Sequence, residues 1–169
     1  MTRLDVNTSA PVYFPRTRSA WTFAARRLVR TCHAVLDALQ APAALLARLY
    51  VAQVFFSAGL TKLRDWDTTM LLFSEEYHVP FLSPQLAAWL GTGGELVLPA
   101  LLVLGLGGRL AALGLSVVNL VAVLSLSDIA PAALQLHVTW GVLLMGLALY
   151  GPGSWALDKF LHKRWLTTV

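Results

Sequence analysis

Glu95, His137 and Lys62 are ionisable side chains set in apolar runs, within LGTGGELVLP, HVTWGVLLMG and FFSAGLTKL respectively. A carboxylate, an imidazole and an ammonium can each give or take a proton. Their placement among apolar residues makes them the candidates for catalytic, proton-handling work. Asn119, Trp140 and Arg48 stand in similar runs and are the candidates for binding a cofactor, through an amide, an indole face and a guanidinium. Trp89 is a second candidate stacking wall. Each has a plainer reading beside the chemical one. Arg48 and Lys62 lie near the ends of one apolar segment, where long cationic side chains snorkel to the interface. Asn119 suits an interhelical hydrogen bond. A lone His137 suits a packed, satisfied imidazole, and Glu95 a structural ion pair. No metal site is expected: Cys32 is alone, and His78 has no partner at ligand spacing.

The apolar setting is a property of the whole chain. It is 57% hydrophobic and only 13% charged, where a soluble domain carries about 25% charged residues. An all-α integral membrane protein follows. The net charge of +4 does not indicate nucleic acid, because the cations flank the apolar block. Arg3, Arg16, Arg18, Arg26, Arg27 and Arg30 precede it, and Lys159, Lys163 and Arg164 follow it. No cleavable signal peptide is expected from the polar, Pro-containing start.

Along the chain, residues 1–18 read as a disordered leader. Residues 19–41 read as a basic amphipathic helix lying at the interface. Trp21, Ala25, Leu28, Cys32, Val35, Leu36 and Leu39 form one side, and Arg26, Arg27, Arg30, His33 and Asp37 the other. A solvated helix packed on the protein itself is the alternative. The bundle is expected over 42–160, with spans at about 42–63, 86–106, 109–126 and 132–150, each near the roughly 20 residues a crossing needs. Residues 161–169 read as a cytoplasmic tail. Gly107-Gly108 marks a tight hairpin, Pro131 a helix start, and Gly151-Pro152 a helix stop. In the loop after the first span, Asp67 is expected to cap a short helix reaching Tyr77, with Trp66, Met70, Phe73 and Tyr77 on its apolar side. That helix suits an interfacial lid or an aromatic anchor. The Lys/Arg bias places both termini in the cytoplasm and the two acidic loops outside.

On the wheel of the first span, Arg48, Phe55, Gly59 and Lys62 share one side, with Arg48 and Lys62 about 20 Å apart along the axis. Near Glu95, Gly91, Gly93 and Gly94 permit close helix approach, and Pro99 frees a backbone carbonyl near Glu95. His137, Trp140, Gly141 and Leu144 share one face of the last span, and Glu95 and Lys62 are the expected neighbours of His137. Asp158 lies past the last span beside Lys159, and suits a surface ion pair or a helix cap.

Arg48 with FFSAGLTKL, then GGELVLPALLVLGLGGRLAAL, then HVTWGVLLMGLALYGPGSWALD, resembles the DoxX family of small four-helix bacterial membrane proteins. The resemblance covers roughly 44–160, and its polar positions correspond to Arg48, Lys62, Glu95, Arg109, His137 and Asp158. It implies an inner-membrane protein linked to redox complexes, among them the membrane subunits of thiosulfate:quinone oxidoreductases. ARLYVAQVFFSAGLTKLRDWD and EEYHVPFLSP look most like the HvfX-type subgroup, which accompanies copper-responsive, Cys-rich modified peptides and their enzymes. The resemblance leaves the cofactor unknown, with a quinone or a partner's thiol chemistry as the candidates. Lacking any recognisable haem, flavin or iron–sulfur motif, the chain would take its electrons from a membrane or cytoplasmic protein partner. Two other functions stay open: a non-enzymatic anchor or assembly factor, and a small transporter, which four helices without an internal repeat would build only as a homo-oligomer.

Overall fold

A computed structural model of the protein describes residues 20–166. The expected leader lies outside them, as does the end of the expected tail. Six helices follow in chain order: α1 (Ala20–Arg64), α2 (Trp66–Glu75), α3 (Pro84–Leu104), α4 (Gly108–Ser125), α5 (Pro131–Tyr150) and α6 (Leu157–Leu166). Four of them, α1, α3, α4 and α5, are long and apolar enough to cross a membrane. The chain divides into two units, Met1–Leu36 and Asp37–Val169. In the first, the apolar Trp21, Leu28, Val35 and Leu36 and the basic Arg26, Arg27 and Arg30 are all exposed.

The boundary drawn at 41/42 falls within one helix, because α1 runs through Pro42. Proline removes one N–H donor and crowds the carbonyl four residues back. The residues around it are strong helix formers, Ala38, Ala41, Ala43 and Ala44. The helix continues.

The other helix ends follow local chemistry. Ser83 caps α3, its hydroxyl accepting the Leu86 N–H, and Pro84 takes the first turn, where no donor is lost. The far end of α3 closes as a Schellman motif. Gly105 is left-handed at φ 70°, and the Leu106 N–H reaches back to the Leu101 carbonyl at 3.0 Å. Gly107, at φ 55°, then turns the chain into α4, so the hairpin occupies 105–107. Gly151 ends α5 as expected, at φ 88°. The cap of α2 differs from expectation. It is Asp65, not Asp67, because Asp65 stands three residues before Thr68: its carboxylate accepts the Thr68 N–H at 3.0 Å and the Thr68 hydroxyl at 2.6 Å. These bonds hold the exposed Asp65 carboxyl below its ordinary range. The helix also stops at Glu75, short of Tyr77.

In the second unit, α4 packs between α3 and α5. One core joins Val51 and Phe55 of α1, Leu102 of α3, Ala111, Ala112 and Leu115 of α4, and Leu144, Leu147 and Ala148 of α5. A second, smaller core docks α2 on α3, with Phe73 against Ala87 and Ala88 and with Trp66, Met70 and Tyr77 around them. The apolar side expected for this loop helix is therefore turned onto the bundle. Large apolar side chains such as Val97, Val117 and Val142 stay exposed on the outside, as a lipid-facing surface requires and a water-facing one does not.

Candidate functional site

Three polar assemblies cross this apolar bundle. The first is an ion pair. Lys62 Nζ on α1 donates to both carboxylate oxygens of Glu95 on α3, at 2.7 and 2.6 Å. The Glu95 side chain is 10% exposed and that of Lys62 22%, so the carboxylate is the more enclosed of the two. The approach depends on Gly59, one turn before Lys62. A Cβ there would lie 2.9 Å from Leu96 Cγ and 3.1 Å from Glu95 Cβ. Lys62 does not snorkel. It bonds the carboxylate instead, since an unpaired charge of either sign is costly at this depth.

The second assembly joins α4 to α5. Asn119 donates through Nδ2 to the His137 carbonyl at 2.9 Å, and its Oδ1 lies 2.8 Å from His137 Nδ1. The first bond fixes the amide's orientation, so the oxygen facing the ring must accept, and Nδ1 must carry the proton. The ring's other nitrogen, Nε2, then presents a lone pair, and no described residue hydrogen-bonds it. Gly141 admits the amide: a Cβ there would lie 3.3 Å from Asn119 Nδ2. Trp140 stands edge-on to His137 at 4.9 Å and to Phe55 at 6.0 Å, and its indole N–H donates to the Tyr50 hydroxyl at 3.4 Å. His137 therefore hydrogen-bonds Asn119 and not its expected neighbours, Glu95 and Lys62. Its helix packs on α4, whereas the ion pair lies between α1 and α3.

The third assembly is at the opposite end of the bundle. Arg48 is fully buried, with Nη1 3.4 Å from the Val103 carbonyl and Nη2 3.1 Å from the Trp155 carbonyl. It does not snorkel either. The C-terminal end of α3 and the loop before α6 close over it, and their carbonyls take the place of water. Its Nε is left without a partner. Nearby, Asp158 caps a helix distant in sequence: Oδ1 and Oδ2 accept the N–H groups of Gly107 and Gly108 at 3.0 and 3.1 Å. Of the two roles expected for Asp158, the helix cap is formed and the ion pair with Lys159 is not.

Arg48 is thus remote from the two assemblies that hold the other candidates. Trp89 is also elsewhere, its ring tilted against that of Trp66 at 4.4 Å. Three residues join the candidates without a sequence signal. Tyr50 reads as an interfacial aromatic but holds the Trp140 indole. The Thr92 hydroxyl, on the same side of α3 as Glu95, is buried without a partner. Burial, with Glu76 and Glu95 adding to it, raises the Tyr77 phenol above its ordinary value. Neither a hydrogen bond between distant residues nor burial set by packing leaves a local pattern, so none of these was legible beforehand.

In comparisons with known proteins, the DoxX family model matches residues 43–128, about half of the chain. No curated protein and no solved structure gave a match.

Proposed function

Because the chain belongs to the DoxX family, we propose that this multi-pass membrane protein is the accessory subunit of a quinone-linked redox system, with His137 as its proton-exchanging group. One observation carries the reading. Asn119 holds the Nδ1 proton of His137, so Nε2 is a fixed, unpaired acceptor on a half-buried ring within an apolar span. A bound quinone would supply two-electron chemistry coupled to protons. The donor set suits its headgroup: Nε2 accepts from a hydroxyl, or once protonated donates to a carbonyl, and Trp140 walls the ring. Asn119 and Trp140 orient the imidazole. Glu95 and Lys62, neutralising one another, lock α1 to α3. Arg48 ties α1 to the far end of the bundle and is not assigned to the quinone.

Electrons would come from a protein partner. The resemblance of ARLYVAQVFFSAGLTKLRDWD and EEYHVPFLSP to HvfX-type proteins supports a partner that matures a copper-responsive, Cys-rich peptide. The Lys/Arg bias supports a bacterial inner membrane with both termini cytoplasmic.

The test is binding of decylubiquinone to the purified full chain, followed by tryptophan quenching. His137→Ala and Asn119→Ala should each weaken it about tenfold, the loss of one hydrogen bond of about 1.4 kcal/mol. Equal quenching in all three proteins would sink the proposal. No binding in wild type would leave the protein as a membrane anchor whose polar residues only fasten the bundle.

A further inference from the structure

Where α5 ends and α4 begins, the second unit carries a cavity of about 340 Å³, lined by Arg109, Leu110, Tyr150, Gly151, Asp158 and Lys159 among others. Cavities of roughly 300 Å³ and more accommodate small ligands. Its charge is unbalanced. Asp158 has both carboxylate oxygens engaged by the Gly107 and Gly108 N–H groups, and so neutralises the positive end of α4. Arg109 and Lys159 remain, and neither pairs with a carboxylate among the described residues. The place of Arg109 is built into the backbone. Gly151, at φ +88°, has no Cβ, and one there would lie 3.3 Å from Arg109 Nε and 3.6 Å from Nη2.

The walls leading from the cavity toward the middle of the bundle are apolar. On α4, Leu110, Leu113 and Val117 form an exposed row that starts at the cavity. On α5, Val142 and Tyr150 flank Gly146, where an added Cβ would touch nothing within 4 Å, so the row contains a notch. Cationic groups at a helix end, above apolar grooves on a membrane span, match one class of molecule: an acidic headgroup joined to acyl chains. We propose that this cavity binds the phosphodiester of an anionic glycerophospholipid, held by Arg109 and Lys159, with its chains along the outer faces of α4 and α5.

Native mass spectrometry of the full chain in detergent tests this, with phosphatidylglycerol and phosphatidylcholine offered in equal amounts. Phosphatidylglycerol should be retained about tenfold over phosphatidylcholine. The double substitution Arg109→Gln/Lys159→Gln should abolish that preference, while Arg109→Lys/Lys159→Arg should keep it. The single Lys159→Gln, at an exposed position, should reduce it in a protein whose helix content by circular dichroism is unchanged. Equal retention of the two lipids by wild type would overturn the proposal, as would a preference that survives the Gln substitutions. Loss of phosphatidylglycerol on adding millimolar inorganic phosphate would also overturn it, by showing a site for free phosphate rather than for lipid.

Discussion

Removing the Lys62 ammonium should damage the bundle more than removing the Glu95 charge, and the structure sets the size of that asymmetry. In Lys62→Met, the carboxylate loses the donor that bonds both its oxygens and stays 90% covered by protein. Breaking a buried pair from one side costs about 3–5 kcal/mol. The remaining exposure at the site places this case near the lower bound, about 3 kcal/mol. In Glu95→Gln, the amide keeps the shape of the side chain and one acceptor oxygen, and the ammonium, at 22% exposure, is less enclosed than the carboxylate. The loss should be about 1–2 kcal/mol. In the double variant no charge is left unpaired, so its total should fall about 1–2 kcal/mol short of the summed single losses. Equilibrium unfolding in mixed detergent–SDS micelles measures all four proteins on one scale. Equal single losses that add to within about 0.5 kcal/mol would refute the reasoning. They would mean that the two charges are separately solvated and that the pair is not closed in the folded protein.

Two further outcomes follow from the capping carboxylates. Asp158→Ala removes both acceptors from the start of α4, and should cost about 1–2 kcal/mol in the same unfolding assay, whereas Asp158→Asn, which retains an acceptor, should cost less. Asp65 is held below its ordinary range by the Thr68 hydroxyl and N–H. Its contribution to α2 is therefore present above the usual carboxylate range and lost as pH falls through the lowered value. Limited proteolysis of the 65–76 segment with an acid-active protease should show protection falling only at strongly acidic pH, and Asp65→Asn, which still caps, should remove that dependence.

The four spans and their turns were legible along the chain because each rests on local chemistry. Apolar runs near twenty residues must satisfy their backbone groups as helices in lipid. Gly107, Pro131 and Gly151 mark turns and helix ends by conformational preference alone. The shared side of Arg48, Phe55, Gly59 and Lys62 followed from helical periodicity, and all four do face inward or into a pair. Local preference misled at one place. The cap of α2 moved from Asp67 to Asp65, because the spacing to Thr68 matters more than the nearest acid to the helix.

Partner choice lay beyond the sequence. Periodicity gives the side of a helix that a residue occupies, but not which neighbouring helix meets it or at what depth. So Glu95 and His137, both legible as ionisable groups inside spans, could not be sorted into separate assemblies. The tertiary packing sorted them: Gly59 lets α1 approach α3 and closes Lys62 on Glu95, while Gly141 lets Asn119 reach His137. It also buried Arg48 under carbonyls from two distant segments, and set Asp158 on a helix start fifty residues earlier. Composition and spacing determined a membrane bundle with titratable groups inside it. Only the packing decided which of those groups are spent on each other and which, at His137 Nε2, Arg109 and Lys159, are left without such a partner among the described residues.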